Sequence, residues 1–208
     1  MISKSSVIYV IKILFFSIMF ANISAAQVSE EWSHRYTGPK ASADEPSDLA
    51  VDNSGNIYIT GRSLVGGDFY NFITVKFNSS GVRQWVAKFN GPPFSNSVGN
   101  SIQVDNSGNV YVTGYTRIGS GQIDLLLIKY NSNGIQQWLQ QYNGPGNFDD
   151  FGISVDVDSA GNVYAGGYSF GTGTSYDFVL LKYNSGGLNQ WTRRWNGVTN
   201  NSDYLKKI

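Results

Sequence analysis

Residues 125–130 read LLLIKY, almost unbroken in apolar side chains, and the same texture returns at 72–77 (FITVKF) and 178–183 (FVLLKY). A strand apolar on both faces needs cover on both faces. Around the middle run the polarity changes in short steps. Residues 101–104 alternate apolar and polar. Residues 109–114 (NVYVTG) are rich in β-branched and aromatic side chains, and 137–142 read QWLQQY. These runs predict four strands. Between them, 105–108 (DNSG) and 131–134 (NSNG) predict tight turns, because Asn and Gly tolerate the left-handed backbone of a hairpin. Residues 115–123 read as a longer loop, and 143–145 (NGP) end the unit.

The unit recurs. Trp32, Trp85, Trp138 and Trp191 stand 53 residues apart, as do Asp52, Asp105 and Asp158, and Lys76, Lys129 and Lys182. Tyr36, Phe89, Tyr142 and Trp195 keep the interval, each followed two places later by glycine. Units fall at about 47–90, 100–143 and 153–196, with a partial fourth running to 208. Four-stranded units covered on both faces are what radially stacked sheets provide. The fold class expected is therefore all-β: a β-propeller of four-stranded antiparallel blades on a 53-residue repeat, incomplete at about three blades plus a flanking strand. A β-solenoid is the competing architecture, but its coils are usually shorter and it needs no antiparallel hairpin turns.

The segments DNSGNIYITG (52–61), DNSGNVYVTG (105–114) and DSAGNVYAGG (158–167), with the in-strand Lys76, Lys129 and Lys182 and the closing YxGP pattern, resemble the SBBP-type β-propeller repeat of bacterial extracellular proteins. The resemblance covers about residues 32–208. It implies a scaffold or surface protein and says little about what is bound.

Three blades fall below the usual 4–8 of a closed propeller. Residues 31–36 resemble a lone fourth strand, and the fourth unit has only begun at Ile208. The two outer blade faces are thus expected to be apolar and open, which favours self-association through them. A piece of a longer propeller, two chains closing a six-bladed ring, and an open arc all fit the pattern.

Residues 1–26 read as a signal peptide: Lys4, an apolar stretch from Val7 to Phe20 broken by Lys12, then Ser24-Ala25-Ala26 ahead of Gln27. The uninterrupted apolar run is far below the ~20 residues of a spanning helix, and no later segment could span. The domains expected are this leader and a propeller region over 27–208, and the localisation is secreted, periplasmic or cell-surface. Loss of the leader removes Lys4 and Lys12, leaving 13 basic against 15 acidic residues, a net charge of −2. Without a basic stripe, nucleic acid is not an expected partner. Without cysteine, disulfides and thiolate chemistry are excluded.

The repeated Asp-x-x-Gly-Asn segments invite a calcium reading. Glycine stands at position 4 rather than 6 and no acidic closer follows, so they read as turns whose Asp accepts backbone N–H groups. The three in-strand lysines need partners, and Asp124, Asp177 and Asn71 just ahead of them are the candidates. The tryptophans are expected to pack between blades. His34 has no nucleophile or metal partner at a recognisable spacing. No cofactor or metal site is expected, and the chain reads as a non-enzymatic binding or structural module. The alternative is a propeller enzyme acting on extracellular polysaccharide. Turns one-to-two and three-to-four are short and uniform, whereas the connections on the opposite face (62–70, 115–123, 168–176; 38–46, 91–99, 144–152) are long and variable. Loops on a rigid scaffold carry function. The ligand-binding candidates on that face, for an unknown protein or glycan, are Phe94, Arg117, Phe148, Asp149, Asp150, Phe170 and Tyr176.

Overall fold

The computed structural model describes residues 30–33, 35–38, 43–66, 69–93, 95–118 (without the side chain of Ile118) and 121–208. The leader, His34 and Phe94 lie outside them. Twelve strands form three four-stranded antiparallel sheets, each in simple chain order. Blade 1 holds β1 (Asp44–Val51), β2 (Ile57–Gly66), β3 (Phe69–Phe77) and β4 (Arg83–Phe89). Blade 2 holds β5 (Ser97–Val104), β6 (Val110–Ile118), β7 (Gln122–Tyr130) and β8 (Gln136–Tyr142). Blade 3 holds β9 (Asp150–Val157), β10 (Val163–Phe170), β11 (Tyr176–Tyr183) and β12 (Asn189–Trp195). The expected all-β propeller architecture and its three blades are therefore present. No helix among the described residues is long and apolar enough to cross a membrane.

The apolar runs lie where both faces are covered. In β7, Leu125 and Leu127 face blade 3 and join Val155, Val163, Ala165 and Leu181. Leu126 and Ile128 face blade 1 and join Tyr58 and Phe72. All four leucine and isoleucine side chains of this run are fully buried. Burial of this kind stabilises by roughly 1.5–3 kcal/mol per large side chain. Each blade thus has a receiving face toward its predecessor and a leading face toward its successor.

The first turn of each blade is fastened by its aspartate. Asp105 Oδ1 accepts the N–H groups of Ser107 and Asn109 (both 2.9 Å), and Oδ2 accepts Asn109 Nδ2 (2.8 Å) and the Tyr111 hydroxyl (3.0 Å). Asp52 and Asp158 repeat the set. Partial burial opposes the charge on Asp105, yet these donors hold its carboxyl below the ordinary range. The carboxylates face their own turns, as the turn reading expects.

The tryptophans pack between blades. Trp85 of blade 1 lies 6.1 Å from the Tyr58 ring and 6.4 Å from Tyr130 of blade 2, and its indole N–H donates to Ser132 O (3.0 Å). Trp138 repeats this on Ser185 O (3.1 Å). The ring presses so closely on Gly134 that a Cβ there would stand 2.6 Å from it, and Gly134 has φ 77°. A side chain is excluded by space and by backbone alike.

Two expectations are corrected. The lysines do not pair with Asp124, Asp177 or Asn71. Five residues apart on a strand of period two, each pair points to opposite faces. Lys76, Lys129 and Lys182 instead lie over the rings of Tyr58, Tyr111 and Tyr164 at 5.0–5.1 Å, and Lys129 Nζ also donates to Ser185 O (3.1 Å). The loop expected over 115–123 is mostly strand, since β6 runs to Ile118 and β7 begins at Gln122. In blades 1 and 2 the connection from second to third strand is largely overhanging hairpin ends, whereas 171–175 in blade 3 is a loop.

The flanking segments hold strand positions without being strands. Trp32 Nε1 donates to Ser79 O (3.2 Å), as Trp85 does to Ser132 O. At the other end, Gly197 N–H donates to Asp203 Oδ2 (2.7 Å), matching Gly144 to Asp150 (2.6 Å) and Gly38 to Asp44 (2.7 Å).

Candidate functional site

The ends of β6, β9, β10 and β11 bring a row of rings to the long-connection face of blades 2 and 3. Tyr115 contacts Phe151 (5.1 Å), Phe151 contacts Tyr168 (4.9 Å), and Tyr168 contacts both Tyr176 (5.3 Å) and Tyr204 (5.0 Å). Phe170 touches Tyr176 (5.3 Å) and Phe148 (5.1 Å), each edge to face. Phe148 is 58% and Tyr204 52% exposed, while Phe170 and Tyr176 are half-buried. Three of the candidates, Phe148, Phe170 and Tyr176, therefore meet in one cluster. Tyr115, Phe151, Tyr168 and Tyr204 complete it. Their signal was in the repeat, because Tyr115 and Tyr168, and Phe151 and Tyr204, are 53-residue equivalents.

The acidic candidates serve another purpose. Asp149 Oδ1 accepts Ile123 N–H (3.0 Å), as Asn96 Oδ1 accepts Tyr70 N–H (3.0 Å) one repeat earlier. This position latches the starts of blades 2 and 3 to the third strand of the blade before. Asp150, taken from sequence as an exposed loop residue, is fully buried. It caps the preceding turn through Gly144 N–H (2.6 Å). Burial pushes its carboxyl up to about 6, with Asp124 adding to the rise and Ser169, Gly144 and Arg194 opposing it. In blade 2 the same position is Ser97, whose hydroxyl lies 2.7 Å from Thr116 Oγ1. Arg117 is exposed, and its guanidinium donates to Gly121 O (3.3 Å), away from the ring cluster's contacts.

Sequence reasoning missed Arg194. It bonds Asp177 Oδ2 (2.9 Å), Ser169 O (3.0 Å), Ser169 Oγ and the Tyr142 hydroxyl (3.2 Å), tying blade 2 to blade 3. Its equivalents, Gln141 and Lys88, differ in type, so the repeat gave no hint. At the blade 1 end of the same face, Arg62 pairs with Glu45 (2.6 Å) and lies over the Tyr70 ring (4.4 Å). The face thus grades from an ion pair at blade 1 to aromatic at blade 3. Among the described residues, no group of three or more histidine or acidic side chains is placed to hold a metal ion.

Comparison with known proteins agrees with the architecture. Residues 31–70 and 84–119 match the family model of the SBBP β-propeller repeat. No curated protein matches the chain. The two matched segments begin 53 residues apart, and the third blade repeats their strand order and Asp-fastened turn in the structure. Over residues 31–70 and 84–119 the chain therefore carries β-propeller repeats of the SBBP type.

Proposed function

We propose that this protein is exported and works outside the cell or at the envelope as a non-enzymatic binding scaffold, with its long-connection face at blades 2 and 3 as the binding surface. The observation that carries this reading is the aromatic cluster of Phe148, Phe170 and Tyr176, with Phe170 and Tyr176 on strand ends and Phe148, on the adjoining loop, more than half exposed. Aromatic side chains give large contact area at low entropic cost, and exposed apolar clusters on a rigid frame mark interaction sites. The acids beside them are engaged in holding the blades: Asp149 and Asp150 take backbone N–H groups, and Asp177 takes Arg194. That favours binding over acid–base chemistry.

The test is capture of ligands from a panel of glycans and envelope proteins, repeated with Phe148→Ala and Phe170→Ala. The expected result is a ligand whose affinity falls at least tenfold in either variant. Capture unaffected by both substitutions, no capture at all, or turnover of a polysaccharide would each overturn the reading. Export predicts that the protein purified from its host begins near Gln27. An intact mass retaining residues 1–26 would contradict it.

A further inference from the structure

The interior interfaces show what an outer blade face is built to meet. Blade 1 presents Thr60 and Phe72 to blade 2, and they press on Gly99, where a Cβ would stand 2.2 Å from Thr60 Oγ1 and 2.5 Å from Phe72. Blade 2 presents Thr113 to Gly152 of blade 3, at 2.3 Å. Each contact sets a larger residue against a glycine. At the open ends the sizes are reversed. The receiving face of blade 1 has Pro46 where blades 2 and 3 have Gly99 and Gly152. The leading face of blade 3 has Gly166 where blades 1 and 2 have Thr60 and Thr113. At this position the two end faces are complementary, Gly166 being small where Pro46 is large, while Phe178, the equivalent of Phe72, stays large.

The flanking segments already imitate that meeting. Residues 203–208 lie against Gly166, where a Cβ would stand 2.8 Å from Leu205, and Leu205 is the repeat equivalent of Pro46. Ile208 N–H donates to Ser154 Oγ (3.2 Å) across 54 residues, as Ile102 N–H does to Asp48 (3.0 Å). Trp32 covers Gly81 of blade 1 as its equivalent Trp191 would cover it from a preceding blade. Each segment supplies one strand position and leaves the rest open. A cavity of about 270 Å³ remains between Trp32 and Tyr36 and the Pro46, Ile59, Gly61 and Ile73 surface. Leu49 is 61% exposed, whereas its equivalents Ile102 and Val155 are 1% and 2% exposed.

We infer that the partner for these faces is a second copy of this chain, docked head to tail. Blade 3 of one copy covers blade 1 of the other. Trp191 takes the place of the other copy's Trp32, and Asp44 takes the place of the first copy's Asp203. The exchange conserves residue type at both positions. Made twice about a two-fold axis, the contact closes a ring of six blades, within the usual 4–8.

The experiment is the solution mass of the full chain by light scattering over a range of concentrations, with Leu49→Asp and Trp195→Ser. Both residues are more than half exposed, so neither change disturbs a packed core. The unaltered chain is expected to be a dimer, and each variant alone a monomer, since each spoils both contacts of the ring. A mixture of the two variants is expected to regain dimers, because one of its two contacts is again native. A monomer at every concentration, a dimer insensitive to Leu49→Asp, a ladder of ever larger species, or a mixture that stays monomeric would overturn the inference.

Discussion

Ile102 and Leu49 hold the same place in the innermost strands of blades 2 and 1, yet one is 1% and the other 61% exposed. Tyr58 and Phe72 on the leading face of blade 1 are fully buried, while their equivalents Tyr164 and Phe178 on blade 3 are only half-buried. Around these positions the pairing register is the same in all three blades: Leu49, Ile102 and Val155 pair with Ile59, Val112 and Ala165. The difference in exposure lies in the neighbour. A repeat unit fixes its own backbone through local bonds, but most of its apolar stabilisation is realised between units.

This comparison can be broken at several strengths. Phe72→Ala at the interior interface is expected to cost about 3–5 kcal/mol in urea unfolding. Phe178→Ala, at the equivalent place on the uncovered face of blade 3, should cost well under half as much in the monomer at low protein concentration, and equal costs there would deny the contrast. Asp105→Ala and Asp158→Ala should both destabilise in urea unfolding, because each loses the same set of bonds within its own turn; an effect at only one of them would contradict the turn's fastening role.

A third prediction uses pH. Asp150 titrates at about 6 in the folded protein against an ordinary value of 3.8. The folded state therefore binds this proton more tightly than the unfolded chain. Its contribution to stability is fully present below the unfolded value and is lost as pH rises through about 6. Lowering the pH from 7.5 to 5 should raise stability by roughly 1 kcal/mol through this group. Asp150→Ser, which installs the residue found at this place in blade 2, should remove that gain. An unchanged pH profile in the variant would contradict the burial of the carboxyl. The smallest effect expected is that of Trp85→Phe, about 1 kcal/mol for the lost indole bond to Ser132 O and its packing. Trp191→Phe should be near neutral in the monomer at low protein concentration, since Trp191 contacts Tyr164 and Arg193 of its own blade.

The blade architecture was legible because each of its devices is periodic. The apolar third strand, the Asp turn and the tryptophan all recur without insertion, so one unit explains the others. The pairing of Lys129 was misread from proximity in sequence; the pleat places Asp124 on the opposite face. Asp150 was misread because its loop looked solvated, although the capping role was visible in Asp44 and Asp203 at the same interval. The Arg194 anchor was not legible at all, since its equivalents are Gln141 and Lys88, and only the fold brings it to Ser169 and Tyr142. Three of the seven rings were named from loop position. Tyr115, Phe151 and Tyr168 needed the knowledge that they stand on strand ends, which aim Tyr115 and Tyr168 at Phe151.

The most direct test of the contrast between covered and open faces is amide hydrogen exchange in the third strands, followed over a range of protein concentrations. At low concentration β7, covered on both sides, should exchange slowest, with β3 and β11 faster. Docking of a second copy should slow β11 toward β7 as concentration rises. Equal exchange in β3, β7 and β11 at every concentration would contradict the claim that neighbours, and not the blades themselves, supply the stability.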